Sequence, residues 1–176
     1  MNNRQTVLAC LDRLSISYEL IEHEPVYSID DCYKVPGIDF SRVEIPKNAA
    51  LCNRQQTAFY LMLLRHDVPF RTAVVSKALG VSRLSFAPND RLPELLGLTA
   101  GAVSPLGLLF DPDHHVTLVL DEGLRAWDRL AFHPCENTAT VIMGMGDFIR
   151  FLEELGIAPI WVNPLPEDES MQQPDG

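Results

Sequence analysis

The sequence predicts a single globular domain of the mixed α/β class, with α+β character. The chain has 176 residues, of which 47% are hydrophobic, and this is enough apolar material to bury a core. Apolar residues at helical spacing occur at both ends and in the middle, and short strand-like runs lie between them. The connections are too irregular for a repeated strand–helix–strand unit, so a doubly wound nucleotide-binding fold is not expected.

The first elements follow from apolar periodicity and from the residues that break it. A 3.6-residue period predicts an amphipathic helix over residues 4–14. A strand over 16–23 and a short helix over 28–33 follow. Residues 49–52 and 58–64 indicate two strands joined by a polar turn. The second is apolar almost throughout, as a central strand with both faces covered would be.

Glycines and polar caps mark the remaining elements. Gly80 ends a predicted helix over 72–79, and Gly97 ends a helix that Asn89-Asp90 begins. Asp147 is the predicted cap of the last helix. The remaining strands are predicted over residues 82–87, 106–110, 116–120 and 139–143.

Acidic residues outnumber basic ones, 24 to 14, which gives a net charge of −10. The segment after residue 164 is polar and acidic, so we predict a domain over residues 1–164 and a disordered tail over 165–176. This charge opposes a broad phosphate-binding surface, although one local basic spot could still hold a short RNA end. The sequence shows no membrane-spanning run and no secretory signal, and we expect a cytoplasmic protein.

The four cysteines show no CxxC pair, so we expect reduced and mostly buried thiols. No compact set of four ligands suggests a zinc site, and neither a metal nor another cofactor is expected. The phosphate-binding glycine motifs and the GxSxG nucleophile motif are absent from the sequence.

Lys47 is a candidate functional residue because it follows Pro46 and directly precedes an apolar strand. An ammonium at the mouth of a strand can lie over a cleft, where it attracts an anion or polarises an ester. A solvated lysine at a strand end is the alternative, and the spacing alone favours it.

Residues 101–105 combine Gly101, Ser104 and Pro105 in a GxxxP pattern. Such a turn can direct backbone N–H groups at a developing oxyanion without any special side chain. The pattern is common by chance, so a plain helix-to-strand connector is the alternative.

His133 lies in a turn beside the polar residues 136–138. It is either a catalytic group or an anchor for its loop, and the two interpretations stand about even. The other histidines are expected on the surface, namely His23, His66, His114 and His115.

Four segments, taken in order, resemble the YbaK/prolyl-tRNA-synthetase-associated domain family over roughly residues 4–157. They are PKNAALCNRQQTAFYLMLL, RLSFAPNDRLPELLGLTAGAVSPLGLL, VTLVLDEGL and AFHPCENTATV. Members of this family are aminoacyl-tRNA deacylases, which hydrolyse tRNAs that carry the wrong amino acid. The sequence is most similar to the freestanding branch that clears alanine from tRNA-Pro.

The resemblance implies a mixed α/β fold around a curved sheet and the removal of alanine from tRNA-Pro in trans. It implies that mischarged tRNA is the partner, with prolyl-tRNA synthetase as a second candidate partner. Water, assisted by the terminal ribose hydroxyl, would attack the ester. Lys47, Gly101 and Ser104 would be catalytic. The substrate-binding residues would be Asn48, Ala102, Val103, Pro105, His133 and Asn137.

One departure bears on the substrate. Ala49 and Ala50 stand where many relatives carry bulkier apolar residues, so the pocket could accept a wider range of amino acids. A deacylase for cysteinyl-tRNA-Pro or another small amino acid is therefore one alternative, and a non-catalytic sensor of aminoacyl ends is another. A thiol enzyme based on Cys52 or Cys135 is disfavoured because neither has an evident activating base.

Overall fold

The computed structural model describes residues 2–98 and 102–165. The described helices are α1 (Asn3–Arg13), α2 (Ile29–Cys32), α3 (Thr72–Leu79), α4 (Leu92–Leu96) and α5 (Met145–Glu154). The described strands are β1 (Glu19–Glu22), β2 (Val43–Glu44), β3 (Lys47–Cys52), β4 (Phe59–Leu64), β5 (Ser85–Phe86), β6 (Val116–Asp121), β7 (Arg129–Phe132), β8 (Ala139–Gly144) and β9 (Ile160–Val162).

The strands form two mixed sheets, with the orders β5-β3-β4-β6-β9 and β1-β8-β7-β2. In the five-stranded sheet β3 pairs antiparallel with β4 and β5, while β6 is parallel to β4 and β9. In the four-stranded sheet β8 is antiparallel to β1 and β7, and β2 is parallel to β7. The predicted mixed α+β class is confirmed, with the sheet divided into two hydrogen-bonded parts.

The apolar pattern predicted the central strand and the amphipathic helices correctly. β4 lies in the middle of its sheet, and its residues Leu61, Met62 and Leu63 are fully buried. α5 buries Phe148, Phe151 and Leu152 on one face, as its spacing predicts. The main core lies where α1, α5 and the apolar faces of both sheets meet.

Three local predictions are wrong. Residues 106–110 belong to a 3-10 helix over Pro105–Phe110 and not to a strand, because Pro105 takes the first helical position and Ser104 caps it. Asp147 lies inside the first turn of α5 and does not cap it. β8 runs directly into that helix, and the N–H of Met145 donates to the carbonyl of Asp128 at 2.7 Å. Asn89 and Asp90 lie in a 3-10 turn before α4, and neither side chain caps that helix.

Some elements also differ from the predictions in their length or in where they begin. β5 has two residues where six were predicted, and a 3-10 turn over Asn89–Arg91 precedes α4.

Cys10, Cys32 and Cys52 are buried free thiols and Cys135 is a partly buried one, as predicted. In the described part of the chain no helix is long and apolar enough to cross a membrane. The tail predicted for 165–176 lies outside the described residues, except for Leu165.

Candidate active site

A cavity of about 370 Å³ lies between the two sheets. Its walls come from β3 and β5 of one sheet, from β7 and β8 of the other, and from α2 with the turn that precedes it. Most of the described lining residues are apolar, and Lys47 carries the one full positive charge among them. A cavity of this size and character suits a small ligand that is held by a few polar groups.

Lys47 reaches the cavity wall because it is the first residue of β3, opposite Leu64 of the antiparallel strand β4. Its ammonium donates a hydrogen bond to the backbone carbonyl of Val68 in the turn after β4. An ammonium has three N–H donors, so this bond orients the side chain and leaves two donors for a ligand.

Asn48 also lines the cavity. Its amide nitrogen donates to the carbonyl of Pro46 at 3.1 Å, while its Oδ1 is buried without a hydrogen-bond partner. A buried acceptor without a partner costs about 1–3 kcal/mol, so an incoming N–H or O–H group that satisfied it would be bound favourably.

His133 lines the cavity and anchors its own loop, so the loop-anchor interpretation agrees with the structure, and a role in the reaction stays a prediction. Its Nδ1 lies 3.0 Å from the carbonyl oxygen of Ala139, and its Nε2 lies 3.8 Å from Sγ of Cys32. Burial lowers the pKa of His133 below its ordinary value, with a smaller contribution from His23. The ring is therefore neutral near pH 7, with its proton on Nδ1 facing the carbonyl.

His23 was expected on the surface, and the structure corrects this expectation. The side chain is half-buried at the end of β1, and its Nε2 lies 2.8 Å from the hydroxyl of Thr140, which lines the cavity. The rings of His23 and His133 are 6.3 Å apart. No sequence signal indicated this contact, because 117 positions separate His23 from Thr140.

The predicted GxxxP loop reaches the cavity through Val103. Ala102, Ser104 and Pro105 are buried and are not among its described lining residues. The hydroxyl of Ser104 accepts a hydrogen bond from the N–H of Leu106 at 3.2 Å and so stabilises the turn. Gly101 lies outside the described residues.

Asn137 supports the cavity from behind. Its side-chain amide donates to the carbonyl of Val26 at 3.0 Å, and its backbone carbonyl accepts from the N–H of Val26 at 3.1 Å. Val26 lines the cavity, whereas Asn137 does not, so its direct contact with a substrate stays a prediction.

Ala49 and Ala50 lie on opposite faces of β3, since side chains alternate along a strand. Ala49 lines the cavity and is 9% exposed. Ala50 packs against the main core on the other face. Of the two positions at which we expected relatives to carry bulkier residues, Ala49 is the one at the pocket.

Glu44, His66 and Asp67 form a polar cluster that the sequence did not single out. One ligand-type atom of each lies within 4.8 Å of the others, and none of the three residues is among the described lining of the cavity. Oε1 of the buried Glu44 is 2.7 Å from Nδ1 of His66. Burial raises the pKa of Glu44, and the contact with His66 partly opposes this effect.

Comparison with known proteins identifies the family of this chain. The sequence matches the aminoacyl-tRNA editing domain family over residues 23–151. It is 38% identical over 157 residues to the prolyl-tRNA editing protein ProX of Acetoanaerobium sticklandii, covering 89% of this chain and 94% of that protein. It is 33% identical over 152 residues to the prolyl-tRNA synthetase associated domain-containing protein 1 of Danio rerio, covering 85% of this chain and 81% of that protein.

A solved structure described as a candidate trans-editing enzyme for prolyl tRNA synthetase shares the fold, with a TM-score of 0.70. The two are 16% identical in sequence, and the match covers 93% of this chain and 98% of the other. The family match and the similarity to ProX place this chain among the aminoacyl-tRNA deacylases, which are hydrolases. This chain belongs to the aminoacyl-tRNA editing domain family.

Proposed function

We propose that this protein removes alanine from mischarged tRNA-Pro in trans, by hydrolysing the ester between the amino acid and the tRNA. The observation that carries the proposal is the apolar cavity, which has the ammonium of Lys47 on its wall and an unpaired amide oxygen on Asn48. The relatives named for prolyl-tRNA editing support tRNA-Pro as the tRNA. The proposed compartment is the cytoplasm.

Stabilisation of the oxyanion is assigned to backbone N–H groups of residues 101–104. The position of Val103 on the cavity wall supports this assignment. An aminoacyl ester is already activated, so orientation together with oxyanion stabilisation suffices without a covalent nucleophile. Ser104 contributes through its backbone in this proposal, because its hydroxyl is engaged with Leu106.

Lys47 positions the substrate. Its bond to the carbonyl of Val68 holds the ammonium at the wall, and its remaining donors would bind the terminal phosphate or the ester carbonyl. Asn48 would accept a hydrogen bond from a substrate N–H or O–H group after a small rotation of its side chain.

A water molecule supplies the nucleophile in the proposed reaction. Its oxygen bonds to the ester carbonyl carbon while the terminal ribose hydroxyl of the tRNA assists the removal of a proton. The bond between that carbon and the ester oxygen then breaks, and the leaving oxygen takes up a proton. The products are the free amino acid and tRNA with an intact terminal ribose. Neither a metal nor another cofactor enters this scheme.

The net charge of −10 argues that this protein binds tRNA weakly when it acts alone. We therefore propose that prolyl-tRNA synthetase, or another protein that delivers tRNA, supplies part of the affinity. Addition of the synthetase should then accelerate deacylation by dilute protein. An unchanged rate would exclude this part of the proposal.

A second candidate substrate is cysteinyl-tRNA-Pro, because Ala49 leaves room on the pocket wall. One added or removed methylene in an apolar pocket changes discrimination by about 1–3 kcal/mol, so the side chain at this position can shift the preferred amino acid.

The test is deacylation of radiolabelled Ala-tRNA-Pro, with Cys-tRNA-Pro and Pro-tRNA-Pro assayed beside it. Selective loss of alanine supports the proposal, whereas selective loss of cysteine keeps the reaction and changes the substrate. Binding without hydrolysis of any of the three would instead indicate a non-catalytic sensor of aminoacyl ends.

A further inference from the structure

Two aromatic side chains among the residues that line the cavity are largely exposed. Tyr27 is 79% exposed and Phe86 is 63% exposed. The other large exposed hydrophobic side chains in the described part of the chain are less accessible, namely Leu20 and Val81 at 37% and Ile160 at 43%. Two solvent-facing aromatic rings beside one cavity are typical of a surface that a ligand covers.

The fold supports Phe86 from two sides. β5 pairs with β3 so that Phe86 is opposite Leu51, and it therefore shares a face with Lys47 and Ala49. The ring of Phe70, which also lines the cavity, lies 5.4 Å from the ring of Phe86 at an angle of 51°. This packing holds the exposed ring in place and lowers the entropy that it would lose on binding.

Tyr27 precedes α2 on another wall of the cavity. Its backbone N–H donates to Oδ2 of Asp31 at 3.1 Å, and the hydroxyl of the next residue, Ser28, caps the helix by accepting from the N–H of Asp31. The backbone of Tyr27 is therefore part of a closed turn, and the ring extends from it into solvent.

The proposed substrate offers a ligand that matches these two rings. In the proposed reaction the aminoacyl group lies inside the cavity and its nucleotide lies at the opening, so the unpaired bases of the tRNA 3′ end would lie beside the exposed residues of the lining. A chain of net charge −10 gains little from the phosphates of those nucleotides. Stacking on an aromatic ring needs no charge and accepts any base.

We propose that Tyr27 and Phe86 form a stacking platform for the unpaired bases at the 3′ end of the tRNA. The inference rests on the proposed deacylation, because it takes the position of the bases from an ester bound in the cavity. The platform contributes to binding and leaves the chemical step to the groups inside the cavity. Its loss therefore raises KM and leaves kcat unchanged.

The experiment uses two measurements on the full chain. The first is titration with the unacylated trinucleotide CCA, followed by NMR of the Tyr and Phe ring signals. The second is the kinetics of Ala-tRNA-Pro deacylation. Both are applied to the wild type, Tyr27→Ala, Phe86→Ala and Phe86→Trp, with Ile160→Ala as the control because Ile160 is an exposed apolar residue away from the cavity.

Phe86→Ala should weaken trinucleotide binding and raise KM, each by about tenfold, while Phe86→Trp restores both. Tyr27→Ala should behave like Phe86→Ala, and Ile160→Ala like the wild type. Raising the salt from about 50 to about 200 mM should weaken wild-type binding of the trinucleotide by less than about threefold, since few phosphates are neutralised.

Unchanged trinucleotide affinity in both alanine variants would overturn the platform, even if the wild type deacylates Ala-tRNA-Pro. A wild type that deacylates no aminoacyl-tRNA would instead overturn the proposed function, and the titration would still decide whether the rings bind bases. A lower kcat at unchanged KM in Phe86→Ala would also contradict the proposal, because it would place the ring in the chemical step.

Discussion

The ammonium of Lys47 is hydrogen-bonded to the backbone carbonyl of Val68, which ties the start of β3 to the turn that follows β4. The contact orients a flexible side chain beside the cavity. A preoriented charge needs no reorganisation at the moment of reaction, and this is the condition under which it contributes most to catalysis.

Lys47→Ala should lower kcat/KM for Ala-tRNA-Pro by about 100-fold or more, because a positioned charge is lost from the site. Its thermal midpoint should remain close to that of the wild type, since Lys47 lies outside the described hydrophobic clusters. Lys34→Ala is the matched control, because Lys34 is an exposed lysine away from the cavity. Normal turnover by Lys47→Ala would remove the lysine from the mechanism.

Ser104→Ala separates a role of the hydroxyl from a role of the backbone. The variant loses the hydrogen bond to Leu106 that caps the 3-10 helix and should be less stable by about 1 kcal/mol, measured by chemical denaturation. Deacylation should stay within about threefold of wild type, because the backbone N–H groups remain. Ser82→Ala, at an exposed serine, should change neither quantity. A large loss of activity at unchanged stability would instead assign the hydroxyl to the chemistry.

The pH profile should report the neutral state of His133. Burial lowers its pKa from 6.5, so the ring gains a charge only as the pH falls below that value. The charged ring would repel the α-ammonium group of the substrate, and kcat/KM should fall on the acid side with an apparent pKa below 6.5.

His133→Asn keeps a donor for the carbonyl of Ala139 and should shift or abolish this acid limb. His115→Asn, at an exposed histidine, should leave it intact. Each pH value needs a check of folding, because a lowered histidine pKa makes the folded state bind fewer protons than the unfolded state below pH 6.5. An acid limb that is identical in His133→Asn and wild type would assign it to another group.

The buried carboxyl of Glu44 should make the protein less stable as the pH rises. Burial raises the pKa of Glu44 above 4.5. At pH values between 4.5 and the raised pKa, the folded state therefore holds a proton that the unfolded state has already released. Stability then falls as the pH rises from 4.5 through the raised pKa. The measurement is the free energy of unfolding of wild type and Glu44→Gln across this range. As the pH rises, the free energy of unfolding of Glu44→Gln should increase relative to that of the wild type. A difference that stays constant with pH would contradict a raised pKa of Glu44.

Asp121 should be a strong determinant of stability. Its side chain is fully buried and accepts hydrogen bonds from the backbone N–H of Arg65 at 3.0 Å, from Nε of Arg65 at 2.8 Å and from the N–H of Gly123 at 2.8 Å. Asp121→Ala leaves these donors without their acceptor and should lower the free energy of unfolding by about 3 kcal/mol. Asp113→Ala, at an exposed carboxylate, is the matched control and should differ little from wild type.

The hairpin of β3 and β4 shows what a local sequence pattern can predict and what it cannot. Both strands were predicted because an apolar run bounded by a polar turn forms a hairpin in many contexts, and the register then places Ala49 on one face and Ala50 on the other. Which face meets the cavity depends on the second sheet, which packs there from distant parts of the chain. The sequence therefore identified both alanines and could not choose between them.

Local sequence patterns could not predict contacts between residues that lie far apart in the chain. β2, β7 and β9 have two to four residues each, too few to show a period, and they exist because neighbouring strands supply their hydrogen bonds. The contact between His23 and Thr140 and the pairing of His66 with Glu44 arise in the same way. Each joins polar residues that carry no local sign of their partner.

The sequence by itself determined the class of fold, the main helices and strands, and the family, because apolar periodicity, caps and ordered motifs are local properties of the chain. Only the tertiary structure brought Lys47, Asn48 and His133 to one cavity, directed the Ser104 hydroxyl into a turn, and left Tyr27 and Phe86 exposed among the residues that line the cavity. The physical reason is that burial, hydrogen-bond partners and accessible surface depend on how the two sheets pack together, and local spacing does not encode that packing.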